Sequence, residues 1–177
     1  MKDFFNELVL TRQSCRDFND KPLSLELVLK IAEQARFAPS ACNSQPWKMY
    51  VVADSERLNG VFEALNERGH NNFLSKAKAF IVITEKDAIL KETVGSKFDR
   101  NHFVKYDIGQ LTAYITLVAE SLGVSSCIIG WINQDKLRQT VGYTDSEQSN
   151  IVVALGYSNI PVREKKRKDV LEVVTRV

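Results

Sequence analysis

Apolar residues recur at helical spacing in five stretches of this chain and run together as strands in four. Phe4, Phe5, Leu8 and Val9 mark a first helix ending near Arg12. Ser24 is placed to cap a second, in which Leu27, Val28, Ile31 and Ala35 form one stripe; Pro39 stops it, because the residue before a proline avoids the helical region. Asp54 or Ser55 opens a third, with Leu58, Val61, Phe62 and Leu65 on one face and Gly69 as its stop. The strongest pattern predicts a helix opening at Asp107, carrying Leu111, Ile115, Val118 and Leu122 and closing at Gly123. Leu137 and Val141 sit on a short helix before Gly142. Strands are expected at Met49-Tyr50-Val51-Val52, Ala79 to Thr84, Ser126 to Ile129 and Ile151 to Leu155. The run at 79–84 is apolar throughout and reads as a central strand covered on both faces. Residues 85–105 are polar and weakly patterned and receive no assignment. Beyond Gly156 a polar tail ends in Val170-Leu171-Glu172-Val173-Val174, apolar residues that must pack on something, a partner subunit being one candidate.

Composition narrows the class. The 177 residues fit a single domain, 1–177, with ordinary apolar (44%) and charged (26%) fractions. A net charge of +2 is too small to imply a polyanionic partner, so any basic patch has to be argued locally. Nucleic acid is not expected, because aromatic residues do not interleave with the cations. Cys15, Cys42 and Cys127 are odd in number and read as reduced thiols of a cytoplasmic protein; Cys42 and Cys127 are taken as small buried hydrophobes. Met1-Lys2-Asp3-Phe4-Phe5 lacks a signal-peptide pattern, and no apolar run approaches the roughly 20 residues of a membrane span. Neither His70 nor His102 has a cysteine at ligand spacing, so no metal site is expected.

Three clusters carry candidate chemistry. Arg12-Gln13-Ser14-Cys15-Arg16 flanks a hydroxyl with two guanidinium forks, groups that grip phosphate bidentately. Arg163-Glu164-Lys165-Lys166-Arg167-Lys168 places five cations in six residues. Pro39-Ser40-Ala41-Cys42-Asn43-Ser44-Gln45-Pro46 is a proline-stiffened loop rich in amide and hydroxyl groups, able to read the edge of a heterocycle. Singly these read as a solvated turn, a surface tail and a helix-to-strand connection. Together they point to a phosphorylated, flat, polar-edged ligand such as flavin mononucleotide (FMN).

The order Arg-x-Ser-x-Arg, then Pro39-Ser40-Ala41-x-Asn43-Ser44-Gln45-Pro46-Trp47 ahead of a strand, resembles the FMN-dependent nitroreductase family. Asp107-x-Gly109 through Leu122-Gly123 into Ser126-Cys127-Ile128-Ile129-Gly130 is similar to that family's central helix and flavin-facing strand end. Lys165-x-Arg167-Lys168 is similar to its C-terminal phosphate contact. The resemblance implies an α+β nitroreductase-like fold, with a central mixed or antiparallel sheet flanked by helices. It also implies an intertwined homodimer that exchanges its C-terminal segments and holds two FMN molecules at the interface.

On that basis Arg12, Ser14, Lys165 and Arg167 would hold the phosphate, with Arg16 near the pyrimidine edge. Asn43 would meet the ring or ribityl chain, Gln13 and Gln45 would be further cofactor-binding residues, and Pro39, Ser40 and Ala41 would reach the partner's flavin. Ile128, Ile129 and Gly130 would lie against one ring face. A further polar contact is expected from His70, Asn71 or Asn72, with Asn72 taken as the site residue. The implied activity is ping-pong: NADH or NADPH donates hydride to flavin N5, and a nitroaromatic, quinone or similar small acceptor then takes it. Other implied readings are reductive dehalogenation by a related flavin enzyme, or an FMN-binding sensor without turnover. The short 85–106 segment implies a more open pocket, with Phe98, His102, Phe103 and Tyr106 as either a partial lid or a loop anchored by its aromatics.

Overall fold

The structure, a computed structural model, describes residues 3–99 and 101–177; Met1 and Lys2, at the head of the N-terminal stretch read above, and Arg100, within 85–106, lie outside them. Helices α1 (Phe4–Thr11), α2 (Leu25–Ala35), α3 (Ser55–Leu65), α4 (Glu92–Gly95), α5 (Val104–Ser121), α6 (Gln134–Val141) and α7 (Val170–Val173) surround strands β1 (Trp47–Val52), β2 (Ala79–Glu85), β3 (Ser125–Ile129) and β4 (Gln148–Gly156). Caps set several boundaries: the Ser24 side chain accepts the Leu27 N–H at α2, and that of Asp54 accepts the Arg57 N–H at α3. Gly142, at φ 80°, closes α6 in the left-handed conformation that costs glycine least.

The sheet runs β1-β2-β4-β3 and every pair is antiparallel. Period-two alternation sends Ala79, Ile81, Ile83, Val153 and Leu155 to one face, where residues of α2 and α5 cover them. Phe80, Val82, Val152 and Ala154 go to the other, with Val61, Ala64 and Leu65 of α3 and Leu137 of α6. The central strands are thus buried on both faces, as the unbroken apolar run predicts, giving three layers. A parallel bridge, Ser14 to Ser126, adds the chain after α1 to the free edge of β3. The mixed character expected of the sheet is confined to this bridge. Among the described residues, no helix is long and apolar enough to cross a membrane.

Two helix boundaries differ from expectation, and β1 and β4 begin two and three residues earlier than expected, at Trp47 and Gln148. Helix α5 opens at Val104 rather than Asp107; Asp107 is buried within the first turns. Helix α3 ends at Leu65 with Asn66 at its C-cap, and Gly69 (φ 76°) shapes the following turn. The terminal apolar residues form α7, whose Val170, Leu171 and Val173 face solvent in the single chain.

Where the end of β4 meets Phe18, packing leaves no room for a methyl group. A Cβ built on Gly156 would lie 2.8 Å from Cδ1 of Phe18, a ring only 1% exposed. Gly156→Ala is expected to destabilise the fold by about 1–3 kcal/mol, the usual cost of overpacking. Thermal unfolding tests this: a midpoint equal to the parent's shows that the ring yields freely.

Candidate functional site

Arg12 leaves α1 at φ −51°, ψ 124°, and the chain continues extended along β3, where the Cys15 N–H donates to the Ser126 carbonyl at 2.8 Å. In extended backbone alternate side chains face opposite ways. Cys15 is 7% exposed and packs in the core, so Arg12, Ser14 and Arg16 are presented on the other side. A single parallel bridge, Ser14 to Ser126, joins this segment to the start of β3. Ile128 is 41% exposed while its neighbour Ile129 is buried, so β3 presents one apolar side chain to solvent two residues beyond that bridge.

The tail returns across that segment. The Gln13 carboxamide donates to the Pro161 carbonyl (3.2 Å) and accepts from the Arg163 backbone N–H (3.1 Å) and Nε (3.2 Å). Arg163 Nη2 donates to the Ser14 carbonyl at 2.7 Å, and Lys165 Nζ to the Arg12 carbonyl at 2.7 Å. Arg12, Arg16, Arg163, Lys165, Lys166 and Arg167 line a cavity of about 350 Å³ together with Gln13, Ser14 and Glu164, the one carboxylate on its wall. A second cavity of about 190 Å³ adjoins it, sharing Ser14, Arg16 and Arg163 and adding Glu120, Ser125 and Ser158. The Lys165 amine has its pKa lowered, first by burial and then by the like charges of Arg12 and Arg167. Cations crowded in this way lower their energy when an anion enters, and two guanidinium forks with a hydroxyl suit a phosphomonoester.

The structure brings together Arg12, Gln13, Ser14, Arg16, Lys165 and Arg167 around one cavity; Ile128, Ile129 and Gly130 follow further along the chain from the Ser126 bridge and line neither cavity. The Gln13 side chain is engaged by the tail. The Pro39–Gln45 loop lies instead on α5: Asp107 Oδ1 accepts the Ala41 N–H at 3.1 Å, and Asp107 Oδ2 is buried without a hydrogen-bond partner. Ser40 Oγ accepts the Gln45 N–H and Ser44 Oγ that of Ile89, while the Gln45 amide donates to Asn43. Cys42, Asn43 and Gln45 hold φ of 54°, 53° and 48°, a left-handed conformation costly for residues with a Cβ. Such a loop persists because its hydrogen bonds over-determine it.

Of the three candidates after α3, the Asn71 amide donates to the Leu65 carbonyl and so closes the helix; Asn72 Oδ1 accepts from Asn66. His70 packs its ring 5.4 Å from that of Trp131, the residue after Gly130, which places it beside the strand end. Phe98, His102, Phe103 and Tyr106 form one cluster of rings with centroids 4.7 to 6.2 Å apart, with Phe98 and Tyr106 exposed. Cys127 is buried and its thiol pKa is raised, chiefly by burial, whereas Cys42 is only half-buried, in the loop. Sequence reasoning missed the Arg163 brace and the Asp107 tether. An acid ahead of an apolar stripe reads equally as a helix cap, which hid the second; a cation inside a charged run gave no signal for the first.

Comparison with known proteins agrees with this architecture. Residues 9–69 and 61–157 match the nitroreductase family. A protein of Archaeoglobus fulgidus named "Putative NADH dehydrogenase/NAD(P)H nitroreductase" is 32% identical over 155 residues, covering 85% of this chain and 83% of that protein. A nitroreductase-like protein from Streptococcus mutans shares the fold at TM-score 0.85 over 100% of both chains, with 19% identity. A Staphylococcus epidermidis structure named "Putative NAD(P)H:FMN oxidoreductase" gives TM-score 0.81 at 20% identity, over 99% of this chain and 96% of that one. The α+β fold and the sequence matches together define an oxidoreductase. The chain belongs to the nitroreductase family.

Proposed function

We propose that this protein binds FMN and passes reducing equivalents from NADH or NADPH to small electron-poor acceptors. The observation that carries the reading is the convergence of Arg12, Ser14, Arg16, Lys165 and Arg167 on one cavity, in a segment bridged to the free edge of β3 at Ser126. The donor set fits the group, since forked cations with a depressed lysine suit a phosphate and Ile128 offers an apolar surface to a ring. Bound there, FMN would supply the redox chemistry, hydride transfer through N5 between a reduced nicotinamide and a nitroaromatic, quinone or similar acceptor in ping-pong order.

The residues contribute position and charge. Lys165, Arg167, Arg12 and Ser14 hold the phosphate. Arg16, on the wall of the same cavity, would stabilise negative charge at the ring's pyrimidine edge, preorganised before the chemistry begins. Arg16→Ala is expected to lower the potential of the bound flavin, measured by anaerobic dye equilibration; an unchanged potential removes that role.

The working form is a homodimer, a reading supported by apolar side chains left facing water: Phe4, Phe5, Val9 and Leu10 on α1, Leu25 and Leu29 on α2, and Val170, Leu171 and Val173 on α7. Exchange of the C-terminal segments would cover α7, and Pro39, Ser40, Ala41, Asn43 and Gln45 would then serve the partner's flavin. Residues 1–177 act as one domain in the cytoplasm, where thiols stay reduced. Purified protein is expected to show oxidised-flavin absorption, to bleach with NADH or NADPH under anaerobic conditions, and to recover colour on addition of a nitroaromatic or quinone. Colourless, monomeric protein that takes up no added FMN overturns the proposal.

A further inference from the structure

Arg163 lies at the crossing of the two chain ends, yet its recorded hydrogen bonds go to protein acceptors. Its backbone N–H and Nε both donate to Gln13 Oε1, and Nη2 donates to the Ser14 carbonyl. Gln13 answers with a bond to Pro161, so tail and N-terminal segment are closed into a ring of contacts two residues before Lys165. The fork matters here: a planar guanidinium serves two acceptors at fixed separation, which a lysine ammonium on a flexible stem does not. The remaining brace, Lys165 to the Arg12 carbonyl, is made by a cation pressed by Arg12 and Arg167. Lys165 cannot by itself keep the two cationic segments close, since their charges repel.

We propose that Arg163 is a positioning residue for phosphate recognition. Through Gln13 and the Ser14 carbonyl it holds Arg12–Arg16 and Lys165–Arg167 at the separation that admits a phosphomonoester. The inference rests on the FMN reading above and adds to it the residue that assembles the phosphate site.

The test compares dissociation constants for FMN and for riboflavin, which lacks the phosphate, in the parent, Arg163→Ala, Gln13→Ala and the double variant. Arg163→Ala is expected to reduce the preference for FMN over riboflavin by about tenfold or more. Riboflavin affinity should stay within about twofold of the parent's, and the double variant should be no worse than the weaker single, as for two residues acting as one unit. Gln13→Ala opens the same brace from the other side, so the test stands if one variant folds poorly. A parent that binds neither flavin removes the FMN reading and this inference with it. A parent that prefers FMN, with an Arg163→Ala variant of equal preference, leaves the FMN reading standing and overturns the inference. Additive losses do the same, because they give Arg163 a phosphate contact of its own.

Discussion

Alanine at both Arg12 and Arg167 is expected to weaken FMN binding by about two to four orders of magnitude, roughly 3–6 kcal/mol for two charge-assisted contacts. The apoprotein should keep its thermal midpoint or gain slightly. These guanidinium groups flank Lys165, and their charges help hold the pKa of its amine below the ordinary lysine value. Removing them relieves that repulsion while leaving the Lys165 bond to the Arg12 backbone carbonyl in place. A loss of affinity caused by misfolding would lower apoprotein stability and riboflavin binding together; a loss of phosphate contacts lowers neither. Raised salt should weaken the parent's FMN affinity more steeply than the variant's, since screening acts on charge pairs. Isothermal titration of both proteins with both flavins measures this, and equal FMN affinities would remove the cavity from the cofactor site.

The fold was legible wherever one local signal had one cause. Ser24 before Leu27 and Val28 could only be a cap, and the unbroken run from Ala79 to Ile83 could only be covered on both faces. Asp107 was misleading because an acid just ahead of an apolar stripe is the same signal whether it caps a helix or reaches across to another element; here it holds the Ala41 N–H. Residues 85–105 show no periodicity because their order comes from rings stacked around His102 and from Asn101, which bonds to Asp87 and Ala88, not from one apolar face. In the candidate site, the alternation of Arg12, Ser14 and Arg16 survives into the structure as one face of an extended segment. The brace through Arg163 was invisible because it depends on a contact across 150 residues, and nothing local distinguishes Arg163 from the other cations in its run.

Glu147→Gln is expected to destabilise the protein by about 3 kcal/mol at neutral pH and to flatten its response to acid. Glu147 is 3% exposed at the turn into β4 and ties three parts of the sheet together. Its carboxylate accepts from Tyr50 Oη on β1 (3.0 Å), Thr84 Oγ1 on β2 (2.7 Å) and the Thr144 N–H and hydroxyl (3.3 and 3.1 Å), and it pairs with Lys86 Nζ at 2.9 Å. Burial alone would raise its pKa, but the donors from Lys86, Thr84, Thr144 and Tyr50 outweigh burial and hold it at about 2, against an ordinary 4.5. A carboxyl depressed on folding stabilises the native state above its unfolded pKa and loses that contribution as pH falls. The window therefore runs from about pH 4.5 down to about 2. Urea unfolding of parent and variant across that range isolates Glu147, because the other carboxylates are common to both proteins. The gap between the two stabilities should close towards the acid end. A gap that stays constant would show that the network stabilises through shape and hydrogen bonding, with no contribution from the carboxylate charge. The consequence reaches the candidate site through register: β4 starts at this turn and pairs with β3, which is bridged at Ser126 to Ser14 of the cation segment. Loosening the turn should therefore lower stability first and flavin affinity only as a secondary effect.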